Sequence, residues 1–78
     1  MNQAHRLTLN LAIKPFLEGK SEIGLIDVQR HLSNNGWEHG LGREIAGSLT
    51  QLGWMRDGWL YTGYERTARW VRRHSDAL

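Results

Sequence analysis

Cysteine is absent from the 78-residue chain. No disulfide can staple the fold and no thiolate is on hand for zinc. Proline occurs once, at Pro15, and phenylalanine once, at Phe16. Long apolar runs are missing as well. The richest stretch, residues 7–17, is interrupted by Asn10, Lys14 and Pro15, and it is too short to span a bilayer. The N-terminus carries no secretory pattern, so the expectation is a cytoplasmic protein with no membrane partner. No glycine-rich phosphate loop, Ser/His/Asp arrangement or clustered pair of carboxylates is recognisable. His5, His31, His39 and His74 are scattered, without the spacing of a helical metal site. The expectation is a protein that is not an enzyme, with no cofactor, no metal and no small-molecule substrate.

What is present is large side chains and arginine. A chain this short forms one domain and buries only roughly 60% of its unfolded surface, so its core must be rich in bulky residues. Four Trp and two Tyr join many Leu and Ile, and each aromatic can bury roughly 150–250 Å². Net charge is only +2, but it is unevenly spread. Residues 1–38 balance Arg6, Lys14, Lys20 and Arg30 against Glu18, Glu22, Asp27 and Glu38. Residues 56–73 set five arginines (Arg56, Arg66, Arg69, Arg72, Arg73) against Asp57 and Glu65. Every basic residue after Arg30 is Arg, which forks onto phosphate oxygens and guanine edges better than Lys. A basic C-terminal third suits an anionic partner, nucleic acid first. The plainer reading is a solvated, charged strand edge.

Hydrophobic spacing gives the organisation. Residues 4–18 read two ways. Leu9, Ile13, Phe16 and Leu17 share a helical face, while Leu7, Leu9, Leu11 and Ile13 alternate as in a strand. A helix ending near Glu18 and Gly19 is the preferred reading, with Pro15 disturbing its last turn. Residues 21–25 read as a short extended piece or turn. Residues 25–33 read as a second helix with Asp27 in its first turn and Val28 and Leu32 on its inner face. Residues 41–52 form the clearest helix, with Leu41, Ile45, Leu49 and Leu52 in one stripe and Gly53 as its stop. Beyond it the period changes. Residues 54–56 and 59–61 read as two short strands joined by a turn at Asp57-Gly58, with a further turn at Thr62-Gly63. Residues 66–73 read as a strand with Ala68 and Trp70 on one side and Arg69 and Arg73 on the other. A helix over 64–74 is the alternative.

Helix, helix, helix, hairpin is the plan of a winged helix-turn-helix, an α+β fold. The segment DVQRHLSNNGWEHGLGREIAGSLTQLGWMRDG is similar to the core of many winged-helix domains. Val28, Leu32, Arg43, Ile45, Leu49, Leu52, Gly53 and Trp54 carry the pattern. With ERTARWVRR as a returning strand, residues 20–73 resemble the small winged-helix module of phage and plasmid replication proteins of the virulence-associated-E type. The first helix, with its Pro15, departs from that pattern. The resemblance implies a helix-turn-helix (20–53) and a wing (54–73), to which the spacing adds an N-terminal helix (1–19) and a tail (74–78) in one domain. It further implies that the third helix enters the major groove of double-stranded DNA while the wing touches phosphate or the minor groove. The setting it implies is phage, prophage or plasmid replication or transcription regulation.

Candidate contacts follow. Arg43, in the first turn of the third helix, could take guanine as a bidentate pair worth about 1–3 kcal/mol, or pair with Glu44 or Gln51. Gly47 would let the backbone approach DNA, or let another helix pack closely. Thr50 and Gln51 are weaker candidates for base or phosphate contact. Arg56, Arg66, Arg69, Arg72 and Arg73 form the electrostatic footprint. If about four of them meet phosphates, log affinity falls against log salt with a slope near −3 to −4. Trp54 and Trp70 read as core, while Trp59 and Tyr61 are the candidates for exposed stacking. His39, just before the third helix, could touch a phosphate. Two rivals stand beside the DNA reading: a winged-helix module that binds a protein partner or itself, and a single-strand nucleic-acid binder.

Overall fold

In the computed structural model, which describes residues 3–38 and 41–73, the ambiguous first segment is a helix, α1 (Gln3–Leu17). Its helical face wins because Leu9, Ile13 and Leu17 are all buried, whereas the strand pattern would have paired them with Leu7 and Leu11, which lie on the outside. Pro15 is exposed in the last turn. The carbonyl it leaves without an N–H belongs to Leu11, itself 71% exposed, so water can take the bond. Gly19, at φ +78°, ends the helix.

Next come β1 (Glu22–Gly24), α2 (Leu25–Asn34), α3 (Gly42–Gln51), β2 (Trp54–Thr62) and β3 (Glu65–Arg72). The tail at 74–78, including His74, and His39 before α3 lie outside the described residues. The three strands form one antiparallel sheet in the order β1-β3-β2, so the fold class is α+β. The extended piece expected at 21–25 is thus a true strand. Glu22, Ile23 and Gly24 pair with Val71, Trp70 and Arg69. The last segment is a strand and not a helix, because Ile23 and Trp54 flank Trp70 from both neighbouring strands and bury it.

The hairpin differs from the sequence expectation. β2 is one strand of nine residues, and Asp57-Gly58 is not a turn. The register shifts between Arg56, opposite Trp70, and Trp59, opposite Ala68. Two residues, Asp57 and Gly58, therefore stand against Arg69 alone, which is a β-bulge. Gly58 takes φ +71° there. The chain reverses at Gly63-Tyr64, between the paired Thr62 and Glu65. Gly63 sits at φ +64° in the first central position, as a II′-type two-residue turn requires.

Leu9, Ile13, Leu17, Ile23, Val28, Leu32, Ile45, Leu49, Trp54 and Trp70 make a single core drawn from every element. The register places Ile23, Trp54 and Trp70 on the sheet face that meets the helices. On the opposite face Thr67 closes the start of α2. No local side chain caps this helix. Instead the backbone N–H of Ile26 donates to Thr67 Oγ1 at 3.0 Å, from 41 residues away. Gly24 leaves room for this contact, since a Cβ there would stand 2.7 Å from the Thr67 methyl. Thr67→Val keeps the shape and removes the acceptor. It is expected to cost about 1–2 kcal/mol in urea unfolding with an unchanged m-value; a loss under about 0.3 kcal/mol would remove Thr67 as the cap.

Candidate nucleic-acid interface

The outer face of α3 is the first half of the site. Ile45, Ser48 and Leu49 are buried, which turns Arg43, Gly47 and Thr50 away from the core at the 100° helical step. Arg43 is exposed and has no ion-pair or hydrogen-bond partner among the described residues. Thr50 Oγ1 donates to the Ala46 carbonyl within its own helix at 2.9 Å. Gln51 is tied to α1, where Asn10 Nδ2 donates to its Oε1 at 3.0 Å. Gly47 does not present open backbone. The Arg6 guanidinium of α1 lies over it, and a Cβ at Gly47 would stand 2.6 to 2.9 Å from the guanidinium atoms. The glycine serves the approach of α1, and the side chain that reaches this face is Arg6.

The hairpin is the second half. By register, Arg56 shares the helix-facing side of the sheet with Trp70, and Trp59, Tyr61 and Arg66 share it with Ala68. These residues continue the core face past the point where helices cover it. Trp59 is 47% exposed and Tyr61 71%. The bulge produces this grouping, since without the extra residue Trp59 would fall on the face opposite Arg56. Both arginines lie over the Trp59 ring, Arg56 Cζ at 4.6 Å and Arg66 Cζ at 4.1 Å from its centroid. Arg56 Nε also donates to the Gly58 carbonyl at 3.1 Å. Exposed cation–π contacts of this kind contribute about 0.5–1 kcal/mol each. They hold two guanidiniums at fixed positions with their outer N–H groups in solvent. Tyr64, at the turn, is fully exposed.

The remaining hairpin arginines divide. Arg69 lies on the other face of β3 and bridges the sheet. Its Nε donates to the Glu22 carboxylate on β1 and its Nη1 to the Asp57 carboxylate in the bulge. Hydrogen bonding to Glu22, then to Asp57, pushes its pKa above the ordinary arginine value despite some desolvation, so the pair of acids holds it as a cation. Arg72 donates to the carbonyls of Leu17 at 2.9 Å and Lys20 at 3.0 and 3.1 Å. It also covers the Trp54 ring at 4.8 Å. Both side chains are occupied by internal partners and join strands and helix end. Arg73 is exposed, and its backbone N–H donates to the Gly53 carbonyl at 2.8 Å.

Trp54 and Trp70 are buried in the core. Trp37 packs against the core, edge-on to His5 at 5.9 Å. His31 Nε2 sits 3.3 Å from the Ala12 carbonyl, its ring tilted against Phe16. Among the described residues no three His, Cys, Asp or Glu converge on a point that could hold a metal. No helix among them is long and apolar enough to cross a membrane. Sequence reasoning missed Arg6, and the one signal for it was Gly47 itself, an internal helix glycine that needs a neighbour to explain it.

The site is therefore two cationic surfaces, Arg43 with Arg6 on α3 and Arg56 with Arg66 on the hairpin, raised on the helix side of one sheet. Such an arrangement can grip anionic oxygens at several points. No family model, curated protein or solved structure matches this chain.

Proposed function

We propose that the chain is a winged helix-turn-helix domain that binds double-stranded DNA, with α3 in the major groove and the β2–β3 hairpin as the wing on phosphates. The element order, the sheet order β1-β3-β2 and the short α2–α3 connection are compatible with that layout. The observation that carries the reading is the register of the hairpin. It sets Arg56, Trp59 and Arg66 on the same side of the sheet as the helices, where a duplex lying on α3 would meet them. Arg43 is the base-reading candidate, from the first turn of the recognition helix. Arg56, Arg66 and Arg73 take backbone positions, which hold register and carry no sequence information. Both faces of the indole cannot be open for bases while two guanidiniums lie over it, which favours duplex phosphates over single-strand stacking. A cytoplasmic DNA-binding protein in phage, prophage or plasmid regulation or replication is the corresponding setting.

The second reading is a protein-interaction module, and α1 is the feature in its favour. Leu7 and Leu11 are exposed one turn apart on its outer side.

Amide chemical-shift mapping with a mixed-sequence duplex separates the two. Duplex binding is expected to move the amides of residues 42–51 and 56–66 and to leave those of β1 and the outer side of α1 in place. Shifts concentrated around Leu7 and Leu11, or none at all, would contradict the DNA reading.

A further inference from the structure

Among the described residues Arg6 has no carboxylate within ion-pair distance. It is half-buried, and its Nε has neither solvent nor a hydrogen-bond partner among the described residues. The ion pairs among the described residues belong to Arg30 and Arg69. Glu44, on the flank of α3, is not within ion-pair distance either. One turn on along α1, Asn10 repeats the pattern with a buried, unpaired Oδ1 beside its bond to Gln51. A half-buried cation with no carboxylate beside it leaves its outer N–H groups open to an anion.

The place where that charge is held matters. The guanidinium occupies the volume that a side chain at position 47 would fill. On a helix, positions 43 and 47 are one turn apart and about 40° apart around the axis, with β-carbons roughly 5–6 Å from each other. Arg6 therefore lies next to Arg43 on the outer surface of α3, delivered from another helix.

We infer that Arg6 is a phosphate-binding residue, set through the notch at Gly47 so that it takes a backbone phosphate of the duplex beside the base-reading Arg43 on α3. This rests on the DNA reading and adds to it a residue from outside the helix-turn-helix. A guanidinium on a phosphate gives charge-assisted, forked hydrogen bonds. The anion supplies the counter-charge that no carboxylate among the described residues gives Arg6.

Three variants test it by fluorescence anisotropy on a mixed-sequence duplex across a range of salt. Arg6→Gln is expected to weaken binding roughly tenfold and to make the log–log salt slope shallower by about 0.9, the share of one phosphate. Gly47→Ala keeps every charge but its Cβ displaces the guanidinium. It is expected to lose affinity to a similar extent while melting at or above the wild-type temperature, because Ala favours helix over Gly. Lys14→Gln, on the same helix, removes the same charge away from α3 and serves as the matched control. If wild type binds and both Arg6→Gln and Gly47→Ala behave like Lys14→Gln, Arg6 is structural and the inference falls while the DNA reading stands. If Arg6→Gln weakens binding and Gly47→Ala does not, the placement through the notch is overturned. A wild type that leaves the duplex unbound at low salt overturns both.

Discussion

Replacing Trp54 with Ala is expected to remove about 3–5 kcal/mol of stability, the largest loss of any single truncation considered. A domain of this size holds only about 4–12 kcal/mol in total. Trp54 is 2% exposed and starts β2 directly after the α3 stop at Gly53. It packs within the core cluster, and Arg72 covers its ring. Arg72 in turn holds the carbonyls of Leu17 and Lys20, where α1 ends. Truncation thus opens a cavity and loosens the anchor of a helix end in one step. Urea unfolding at 25 °C checks the size of the loss. A change below about 1.5 kcal/mol would mean that the Trp54 site collapses or that the ring is not a central core element.

The second large effect falls on binding and leaves the fold alone. Arg43→Gln, Arg56→Gln and Arg66→Gln together are expected to lower duplex affinity by two to three orders of magnitude near 100 mM salt. The salt slope is expected to become shallower by about 1.8, at 0.9 for each of the two phosphate contacts of Arg56 and Arg66. None of the three side chains touches the buried core, so the melt should shift little beyond the exposed cation–π contacts of Trp59. Arg69 and Arg72 give the contrast. Their removal breaks the Glu22 and Asp57 pairs or the Leu17 and Lys20 bonds. Their main effect should appear in stability. Equal salt-slope changes from both groups would contradict the division drawn here between surface and structural arginines.

That division explains how far the sequence could be read. The α3 stripe of Ile45 and Leu49, with Leu41 and Leu52 at its ends, declared a helix because its period is local and complete. Trp54 and Trp70 could be placed in the core by their position against a helix stop and in an alternating strand. The arginines could not be sorted, since composition sees five equal cations. Arg69 is distinguished from Arg66 by Glu22, which lies 47 residues earlier. The β1 strand has three residues, too few for a period, and exists only because β3 is there to pair with it. Asp57-Gly58 carries the chemistry of a tight turn, and a bulge wants the same positive-φ glycine. Only the pairing of Arg56 with Trp70 and of Trp59 with Ala68 tells the two apart. Gly47 was visible as an anomaly, but the residue it accommodates is 41 positions away on α1.

The bulge also links the fold to the proposed interface. It turns a strand whose alternation would scatter Arg56 and Trp59 into one that groups them with Arg66. Arg69 fastens that bulge from the opposite face through Asp57. One arginine thereby shapes the surface on which two others stand.

The most direct measurement is the affinity of the wild-type chain for a mixed-sequence duplex, by fluorescence anisotropy, between about 50 and 200 mM salt. The expected result is saturable binding with a log–log slope of about −2.7 for phosphate contacts by Arg56, Arg66 and Arg73, steepening to about −3.6 with Arg6 as a fourth. Absence of duplex binding at the lowest salt, or a slope shallower than about −1, would contradict a DNA-binding role for α3 and the hairpin.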